Sequence, residues 1–324
     1  MLIKKESALA VIGGGRWGQV ILSVLESIPL PFDRVVVVSK FNAAEIRAKF
    51  NESKSSTAFS LTDSIENLLA QYNVTAAIIV NSARQHFDTA LNLIDHGAHV
   101  LIEKPIALSQ EHINALIEKA AQKKVCLFPG LCYRFCSYLD NFSEKINQYS
   151  TPRRFMMNWF DVADEIRHGK LKKHDTTIDV AHDVMPHVWT ILSKIFREPL
   201  IDARITLSGD ANDDDASFEI SLKGISGQVN LSRRASARER SILIESKNNT
   251  VCKIDFSSEP GTMTSGSEIF SADTTWNNRP SPLTQQLRHF FLSIETGSKK
   301  EDIDAAINSV RFSESASIKL QEQS

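Results

Sequence analysis

The chain has 324 residues and a formal net charge of -2, because 37 basic residues nearly match 39 acidic ones. This balance argues against a nucleic-acid-binding protein and against an acidic interaction tail, so we expect a small-molecule substrate as the partner. No apolar run reaches about 18 residues and no leader pattern follows Met1, which predicts a cytoplasmic protein with no membrane partner. The length predicts two domains with substantial cores.

The four cysteines predict reduced thiols rather than a disulfide framework. They are Cys126, Cys132, Cys136 and Cys252. Cys132 and Cys136 lie close together, but no second Cys/His pair follows at a zinc-like spacing. We therefore predict no metal site.

A short apolar run at 8–12 leads directly into a G-x-G-x-x-G sequence at 13–18, and apolar residues then recur on one helical face. In a dinucleotide-binding turn the first glycine makes the tight turn, the second admits the pyrophosphate, and the third allows close helix packing. A flexible glycine turn is the simpler alternative. The expected cofactor-binding residues of this loop are Gly13, Gly15, Arg16, Trp17 and Gly18.

The next strand reads Val35 to Val38 and is followed by Ser39 and Lys40. A continuous branched run of this kind suits a parallel strand buried on both faces. Domains selective for NAD place a carboxylate near this strand end, and none is present here. Ser39 and Lys40 therefore predict NADP(H) in preference to NAD(H), with Arg16 as a third contact. A solvated loop charge at Lys40 and the use of NAD(H) are the alternatives.

Strands and helices continue to alternate, which predicts an α/β fold with an N-terminal Rossmann domain, a doubly wound parallel sheet over residues 1–128. The further strands are predicted at 76–80, 100–102 and 125–128, and the helices at 62–72 (opened by Thr62 and Asp63), 87–96 and 109–122. Ligands bind at the carboxyl ends of such strands. The polar residues at these ends add Asn81, Ser82, His86, Glu103 and Lys104 to the expected cofactor-binding set.

The run Val100 to Ile102 ends abruptly in Glu103-Lys104-Pro105. Proline lacks a backbone donor and restricts the residue before it, so the strand should stop there. Lys104 would then point into the ligand crevice. From these residues alone it is either a catalyst or a surface charge at a strand end.

The pattern changes after Gly130, where runs of strand-like segments replace the alternation. They predict a C-terminal α+β domain over residues 129–324 with a large mostly antiparallel sheet. Strands are expected at 154–162, 201–208, 216–222, 226–232, 241–246 and 251–256. Two C-terminal helices, at 283–294 and 303–320, can pack back on the first domain.

A helix predicted over 178–196 carries four polar residues on an otherwise apolar segment. Asp183 and His187 are four residues apart and share one helical face, and Asp179 and His182 lie close to it. Considered alone, His187 is more simply a histidine packed within a helix. A metal-dependent hydrolase built on His182, Asp183 and His187 is a weaker alternative.

Five segments together resemble the Gfo/Idh/MocA family of nicotinamide-dependent oxidoreductases. They are the glycine loop at 13–18, the segment 76–86, Glu103-Lys104-Pro105, Tyr133-Arg134-Phe135 and Asp183-x-x-x-His187. The resemblance implies that Lys104, Asp183 and His187 are catalytic and line the substrate site beside the nicotinamide. It also implies that the domain over residues 129–324 serves substrate binding and oligomerisation, and that the protein is a homodimer or homotetramer. The substrate-binding residues it implies are Tyr133, Arg134, His182 and Asp183.

The sequence departs from the family pattern around this helix. Met185 replaces a glycine, residues 173–177 replace a Gly-Gly pair, and Thr190 stands where an aspartate is common. These changes leave the acid/base pair in place and reshape the pocket around it. The substrate therefore cannot be taken from the best-known sugar dehydrogenases of the family.

The expected reaction is hydride transfer between NADP(H) and a secondary alcohol or ketone of a sugar, nucleotide sugar or cyclitol. His187 would exchange the hydroxyl proton, because its pKa is ordinarily near neutrality, and Lys104 would stabilise the developing alkoxide. Asp183 would orient His187 or bind a substrate hydroxyl. The alternatives are an imine or double-bond reductase of the same family, and a non-catalytic dinucleotide-binding regulator.

Overall fold

The computed structural model describes residues 6–52, 57–148, 151–163, 165–167, 170–171 and 174–323. The leader-sequence prediction concerns residues 1–5, and Lys173 is part of the segment replacing the glycine pair; both lie outside the described residues. Proximity of Cα atoms divides the chain into two compact units. The first is Met1–Gly130 with Leu283–Ile307, and the second is Leu131–Pro282 with Asn308–Ser324. The predicted domain boundary at residues 128 and 129 stays a prediction.

The first unit alternates strands and helices as the sequence predicts. Its elements are β1 (Ser7–Ile12), α1 (Arg16–Glu26), β2 (Arg34–Val38), α2 (Ala43–Glu52), β3 (Ala58–Thr62), α3 (Ile65–Gln71), β4 (Asn73–Ile79), α4 (His86–Asp95), β5 (His99–Glu103), α5 (Gln110–Lys123) and β6 (Leu127–Gly130). Among the described residues, six strands form a parallel sheet in the order β3-β2-β1-β4-β5-β6. This is the strand order of the doubly wound dinucleotide-binding fold, so the predicted Rossmann sheet is confirmed.

Helix α3 begins later in the chain than the sequence predicts. Thr62 ends β3, and α3 begins at Ile65 with Ser64 as its N-cap, whose hydroxyl accepts a hydrogen bond from Asn67 N at 3.1 Å. The prediction that Thr62 and Asp63 open this helix is therefore wrong, because the Ser64 hydroxyl satisfies one of the free N–H groups of its first turn. Neither β3 nor α2 was predicted, since both are largely half-buried or exposed and lack an apolar run.

The centre of the sheet explains why its strands were predictable. From Val35 to Val38, and from Val100 to Glu103, every residue is buried. Strands covered by helices on both faces need continuous apolar runs. Because β5 ends at Glu103, the chain leaves the sheet at Lys104, as the proline at 105 predicts.

The second unit is built on a large sheet. Its elements are α6 (Ser137–Asn147), β7 (Pro152–Val162), β8 (Ile166–Arg167), β9 (Lys170–Leu171), α7 (Val180–Phe196), β10 (Arg204–Leu207), β11 (Asp215–Leu222), β12 (Ile225–Ala235), β13 (Glu239–Ser246), β14 (Val251–Asp255), β15 (Thr262–Ser265) and β16 (Glu268–Ser271). Two C-terminal helices follow, α8 (Pro282–Thr296) and α9 (Lys300–Gln321).

Of the described strands, eight form this sheet in the order β10-β11-β12-β7-β13-β14-β15-β16. All neighbours pair antiparallel except β12 and β7, which are parallel. The predicted mostly antiparallel sheet is confirmed. The short strands β15 and β16 were not predicted.

Alternation along β7 decides which of its side chains are covered. Phe155, Met157, Trp159 and Asp161 are buried, whereas Met156 between them is 42% exposed. Successive residues of a strand point to opposite faces, so Trp159 and Asp161 share the covered face. No helix within the described ranges is long and apolar enough to span a lipid bilayer.

Candidate functional site

The glycine loop of the first unit has the geometry that its sequence predicts. Gly13 has φ +122°, and a Cβ there would lie 2.7 Å from the Val80 carbonyl oxygen, whereas a Cβ on Gly18 would collide with the Gly13 carbonyl oxygen. A Cβ on Gly15, the N-cap of α1, would meet no atom within 4 Å. The first and third glycines are therefore required by the fold. The second leaves open space at a helix N-terminus, which fits the pyrophosphate of a dinucleotide.

The end of β2 is shaped by two residues that the sequence reading missed. A Cβ on Gly14 would collide with the Ser39 hydroxyl, and Asn42 Nδ2 donates to the Gly14 carbonyl oxygen at 3.2 Å. Asn42 has φ 60°, and asparagine is one of the few residues that tolerate this conformation, which was its only sequence signal. These contacts fix Ser39 beside the glycine loop.

Ser39 and Lys40 end β2 without a carboxylate. The Ser39 hydroxyl donates to the Phe41 carbonyl oxygen at 2.5 Å, which stabilises the turn, and Lys40 is exposed. The structure thus brings Ser39 and the glycine loop together. The roles of Ser39, Lys40, Arg16 and Trp17 toward a cofactor stay predictions.

The carboxyl ends of β4 and β5 are tied together by His86. This histidine is 2% exposed, and its Nδ1 lies 2.8 Å from the Pro105 carbonyl oxygen while its Nε2 lies 3.2 Å from the Asn81 carbonyl oxygen. Asn81 Nδ2 also donates to Thr89 at 3.0 Å. His86 therefore fixes the peptide that follows Pro105. Cofactor contacts by Asn81, Ser82 and His86 stay predictions.

Glu103 and Lys104 lie where β5 ends. Glu103 is 8% exposed, and burial raises its pKa to about 7 although the positive charge of Lys104 opposes the shift. Gly130 on β6 lies opposite Glu103 on β5. A Cβ on Gly130 would lie 2.7 Å from the Glu103 Cα. Gly130 was missed as part of this site. Its signal was the glycine at the end of the last parallel strand.

In the second unit, His187 lies on α7 against two aromatic rings. Its imidazole stacks on Trp159 with ring centroids 5.0 Å apart and an interplanar angle of 19°. The Tyr133 ring meets it edge-on at 5.1 Å and 73°. These rings restrict the rotation of the imidazole, and Trp159 was not among the predicted site residues.

Asp183, one helical turn before His187, lies among positive and titratable groups. Its Oδ2 is 3.8 Å from His174 Nδ1 and 3.8 Å from Arg233 Nη1. Arg233 is 2% exposed and donates to the carbonyl oxygens of Asp175, Ile178 and Asp213. Arg233 thus anchors the start of α7, a role that no sequence pattern indicates.

Asp179 and His182 form the N-terminal cap of α7. The Asp179 carboxylate accepts from His182 N at 2.8 Å, lies 3.1 Å from His182 Nδ1, and accepts from the Ser317 hydroxyl at 2.6 Å. Burial would raise the pKa of Asp179, but His182 and Ser317 stabilise the carboxylate and hold that pKa at about 2. Substrate binding by His182 stays a prediction.

Tyr133 and Arg134 follow the first unit in the chain. Tyr133 is 7% exposed and its hydroxyl accepts from Arg240 Nη1 at 3.2 Å, while burial raises the pKa of that hydroxyl far above its ordinary value. The Arg134 carbonyl oxygen accepts from Lys194 Nζ at 2.8 Å. Their substrate-binding roles stay predictions. Across the described ranges, no group of three His, Cys, Asp or Glu side chains is arranged to hold a metal ion.

The raised pKa of Glu103 predicts a pH-dependent stability. Between about pH 4.5 and about pH 7 the folded protein holds a proton on Glu103 that the unfolded chain has released, so the free energy of unfolding falls as pH rises through this window. The shift corresponds to about 3 kcal/mol. The free energy of unfolding of Glu103→Gln, measured relative to wild type, should therefore be higher above about pH 7 than below about pH 4.5, by about this amount.

Urea unfolding below and above the window measures this difference. Glu118→Gln, which changes an exposed carboxylate on α5, is the matched control and should follow wild type at both ends. Parallel pH profiles for wild type and Glu103→Gln would contradict the assigned burial.

Comparisons with known proteins agree with this fold. The solved structure of UDP-N-acetylglucosamine 3-dehydrogenase from Acidithiobacillus ferrooxidans is similar with a TM-score of 0.73 and 20% identity, covering 97% of this chain and 98% of the other. KijD10, a 3-ketoreductase from Actinomadura kijaniata in complex with NADP and TDP-benzene, is similar with a TM-score of 0.79 and 12% identity over 97% and 98% of the chains. At these identities the likeness establishes the fold.

Curated relatives match over part of the chain. A 4-carboxy-2-hydroxymuconate-6-semialdehyde dehydrogenase of Sphingobium sp. is 29% identical over 132 residues, which cover 39% of this chain and 39% of that protein. The chain spans well under two thirds of the length of the curated relatives it matches. Residues 8–131 match the model of an oxidoreductase family with an NAD-binding Rossmann fold. Residues 8–131 of this chain therefore form an NAD-binding Rossmann domain of the Gfo/Idh/MocA oxidoreductase family.

Proposed function

We propose that the chain is an oxidoreductase that transfers a hydride between NADP(H) and a secondary alcohol or ketone of a sugar, nucleotide sugar or cyclitol. The observation that carries the proposal is the position of Lys104, at the carboxyl edge of the same parallel sheet that holds the open glycine loop. Ligands of this fold bind at that edge. The two structural neighbours, a UDP-N-acetylglucosamine 3-dehydrogenase and a 3-ketoreductase, support a sugar substrate.

Each polar residue has a separate task in this reaction. When bound, the nicotinamide supplies or accepts the hydride at its C4. During oxidation the His187 imidazole takes the proton from the substrate hydroxyl, and it returns that proton during reduction. The Lys104 ammonium stabilises negative charge that develops on the substrate oxygen. Asp183 orients His187 or binds a second substrate hydroxyl.

A screen for activity incubates the protein and NADP(H) with ketoses, nucleotide sugars, cyclitols or imines, and follows the absorbance of NADPH. A sugar-type substrate should be turned over, and Lys104→Ala and His187→Asn should each lower kcat by at least about 100-fold, because each removes a group that acts in the transition state. Lys123→Ala and His112→Asn make similar changes on α5 and should stay near wild type. Turnover of imines alone, or both site variants remaining within a few fold of wild type, would overturn the assignment.

The end of β2 predicts the cofactor preference. An exposed lysine can bind a 2'-phosphate, and the loop 39–42 holds no carboxylate to repel it. Lys40→Asp should weaken NADPH binding by about tenfold and leave NADH binding within about twofold. Calorimetry with both nucleotides measures this, and Lys247→Asp, at an exposed turn of the second unit, is the control. Equal affinities of the wild-type protein for NADPH and NADH would contradict the preference.

Substitutions at Gly15 and Gly18 should distinguish a loss of cofactor binding from a loss of stability. Gly15 has extended backbone angles and open space at its Cβ position, so Gly15→Val should keep the unfolding temperature and lose most dinucleotide affinity, because the side chain fills that space. Gly18→Ala should instead destabilise the fold by about 1–3 kcal/mol, because its Cβ collides with the Gly13 carbonyl oxygen. Thermal unfolding and calorimetry distinguish the two. Full affinity in Gly15→Val would contradict the binding role of this loop.

A further inference from the structure

Arg240 is a charged residue on the covered face of the second sheet. Strands β7 and β13 pair antiparallel, and Arg240 lies directly opposite Trp159. Residues opposite each other in such a pair have neighbouring side chains on one face. Arg240 is 8% exposed and Trp159 is 2% exposed. A cation buried on this face needs compensating partners, because an unpaired buried charge is strongly destabilising.

Those partners link Arg240 to two aromatic side chains. Its Nη2 donates to Asp161 Oδ1 at 2.9 Å, its Nη1 donates to the Tyr133 hydroxyl at 3.2 Å, and its guanidinium carbon lies 4.0 Å from the Trp159 ring centroid. Asp161 also accepts from Trp159 Nε1 at 3.3 Å. Burial alone would lower the pKa of Arg240, but Tyr133 and Asp161 outweigh it and raise that pKa, so the guanidinium stays charged. One cation therefore fixes both rings.

The same two rings form the surroundings of the His187 imidazole. Trp159 stacks on it at 5.0 Å, and Tyr133 meets it edge-on at 5.1 Å. A proton-transferring group has to be held within about 10–20° of its working orientation by the side chains packed around it. The restraint on His187 comes from rings whose own positions depend on Arg240.

We infer that Arg240 is a positioning residue for His187, acting through Trp159 and Tyr133 without touching substrate. Its effect on catalysis rests on the proposed function, whereas its effect on the orientation of the imidazole does not. Asp161 completes the arrangement by binding Arg240 and Trp159 together.

Arg238 provides a matched control. Its Nη1 lies 3.1 Å from the same Asp161 carboxylate oxygen, but its other described bonds are to the Ser257 carbonyl oxygen at 2.8 Å and to Glu165 at 3.5 Å. Arg238→Met therefore removes a cation from Asp161 without removing the hydrogen bond to Tyr133. If the His187 imidazole responds to any loss of charge near Asp161, both arginine variants should change its orientation. If it responds to the positioning by Arg240, only Arg240→Met should change it.

The first measurement follows the imidazole directly and needs no substrate. In protein labelled with carbon-13 at histidine Cε1, the His187 signal is identified by its disappearance in His187→Asn. A proton stacked on an indole carries a ring-current shift. Arg240→Met should move the His187 signal toward its position in a mobile histidine, and Arg238→Met should leave it in place. An unmoved signal in Arg240→Met would overturn the inference.

A second variant covers the case in which Arg240→Met does not fold. Tyr133→Phe keeps the aromatic ring and removes only the hydroxyl to which Arg240 donates, so it leaves most of the packing intact. It should move the His187 signal in the same direction by a smaller amount. If that signal stays at its wild-type position, the link from Arg240 through Tyr133 is wrong.

The second measurement uses the substrate found in the activity screen. Arg240→Met should lower kcat by about tenfold or more and leave the KM for the nucleotide within about twofold, since it acts through His187. In the His187→Asn background the same change should have no further effect on kcat, because residues that act as a unit are non-additive. Arg240→Lys should recover part of the loss.

The two measurements separate the two proposals. A moved His187 signal without turnover of any compound in the screen would support the positioning role and contradict the proposed function. If a substrate is turned over and the losses of kcat in Arg240→Met and His187→Asn multiply in the double variant, the positioning role is contradicted and the proposed function stays intact.

Discussion

The first unit depends on the close approach of Gly18 to the carbonyl oxygen of Gly13. No side chain fits between them, so α1 packs directly against the turn that follows β1. This contact fixes where the helix begins and directs its N-terminal N–H groups over the carboxyl edge of the sheet. The open space at Gly15 follows from the same geometry. Backbone packing, rather than any side chain, thus creates the binding surface of this unit.

The second unit meets a different constraint, the burial of two arginines. Arg233 is held mainly by carbonyl oxygens and an adjacent carboxylate near the start of α7, and Arg240 is held by Asp161 and aromatic rings. Burying a cation is costly unless the charge is paired and hydrogen-bonded, so such cations favour one arrangement of their surroundings. In this unit that arrangement sets the position of α7, which carries Asp183 and His187. Charges buried in the sheet can therefore determine how the side chains of α7 are presented.

Sequence reasoning recovered the parts whose physical signal is local. The run Val35–Val38 and the glycine spacing each point to one conformation, because a strand buried on both faces and a tight turn allow few residue types. The strand β3 was missed because its residues are half-buried or exposed and leave no apolar run. The pairing of Arg240 with Asp161 joins positions 79 residues apart through sheet register, which no single sequence displays.

We propose that this chain moves a hydride from a nicotinamide to a carbonyl carbon of a sugar-type substrate. The most direct test incubates the protein with a panel of keto sugars and NADPH deuterated at either of the two C4 positions, and analyses the products by mass spectrometry. We expect one deuterium on the new carbinol carbon from one of the two labelled nucleotides. Product without deuterium from either nucleotide would contradict it.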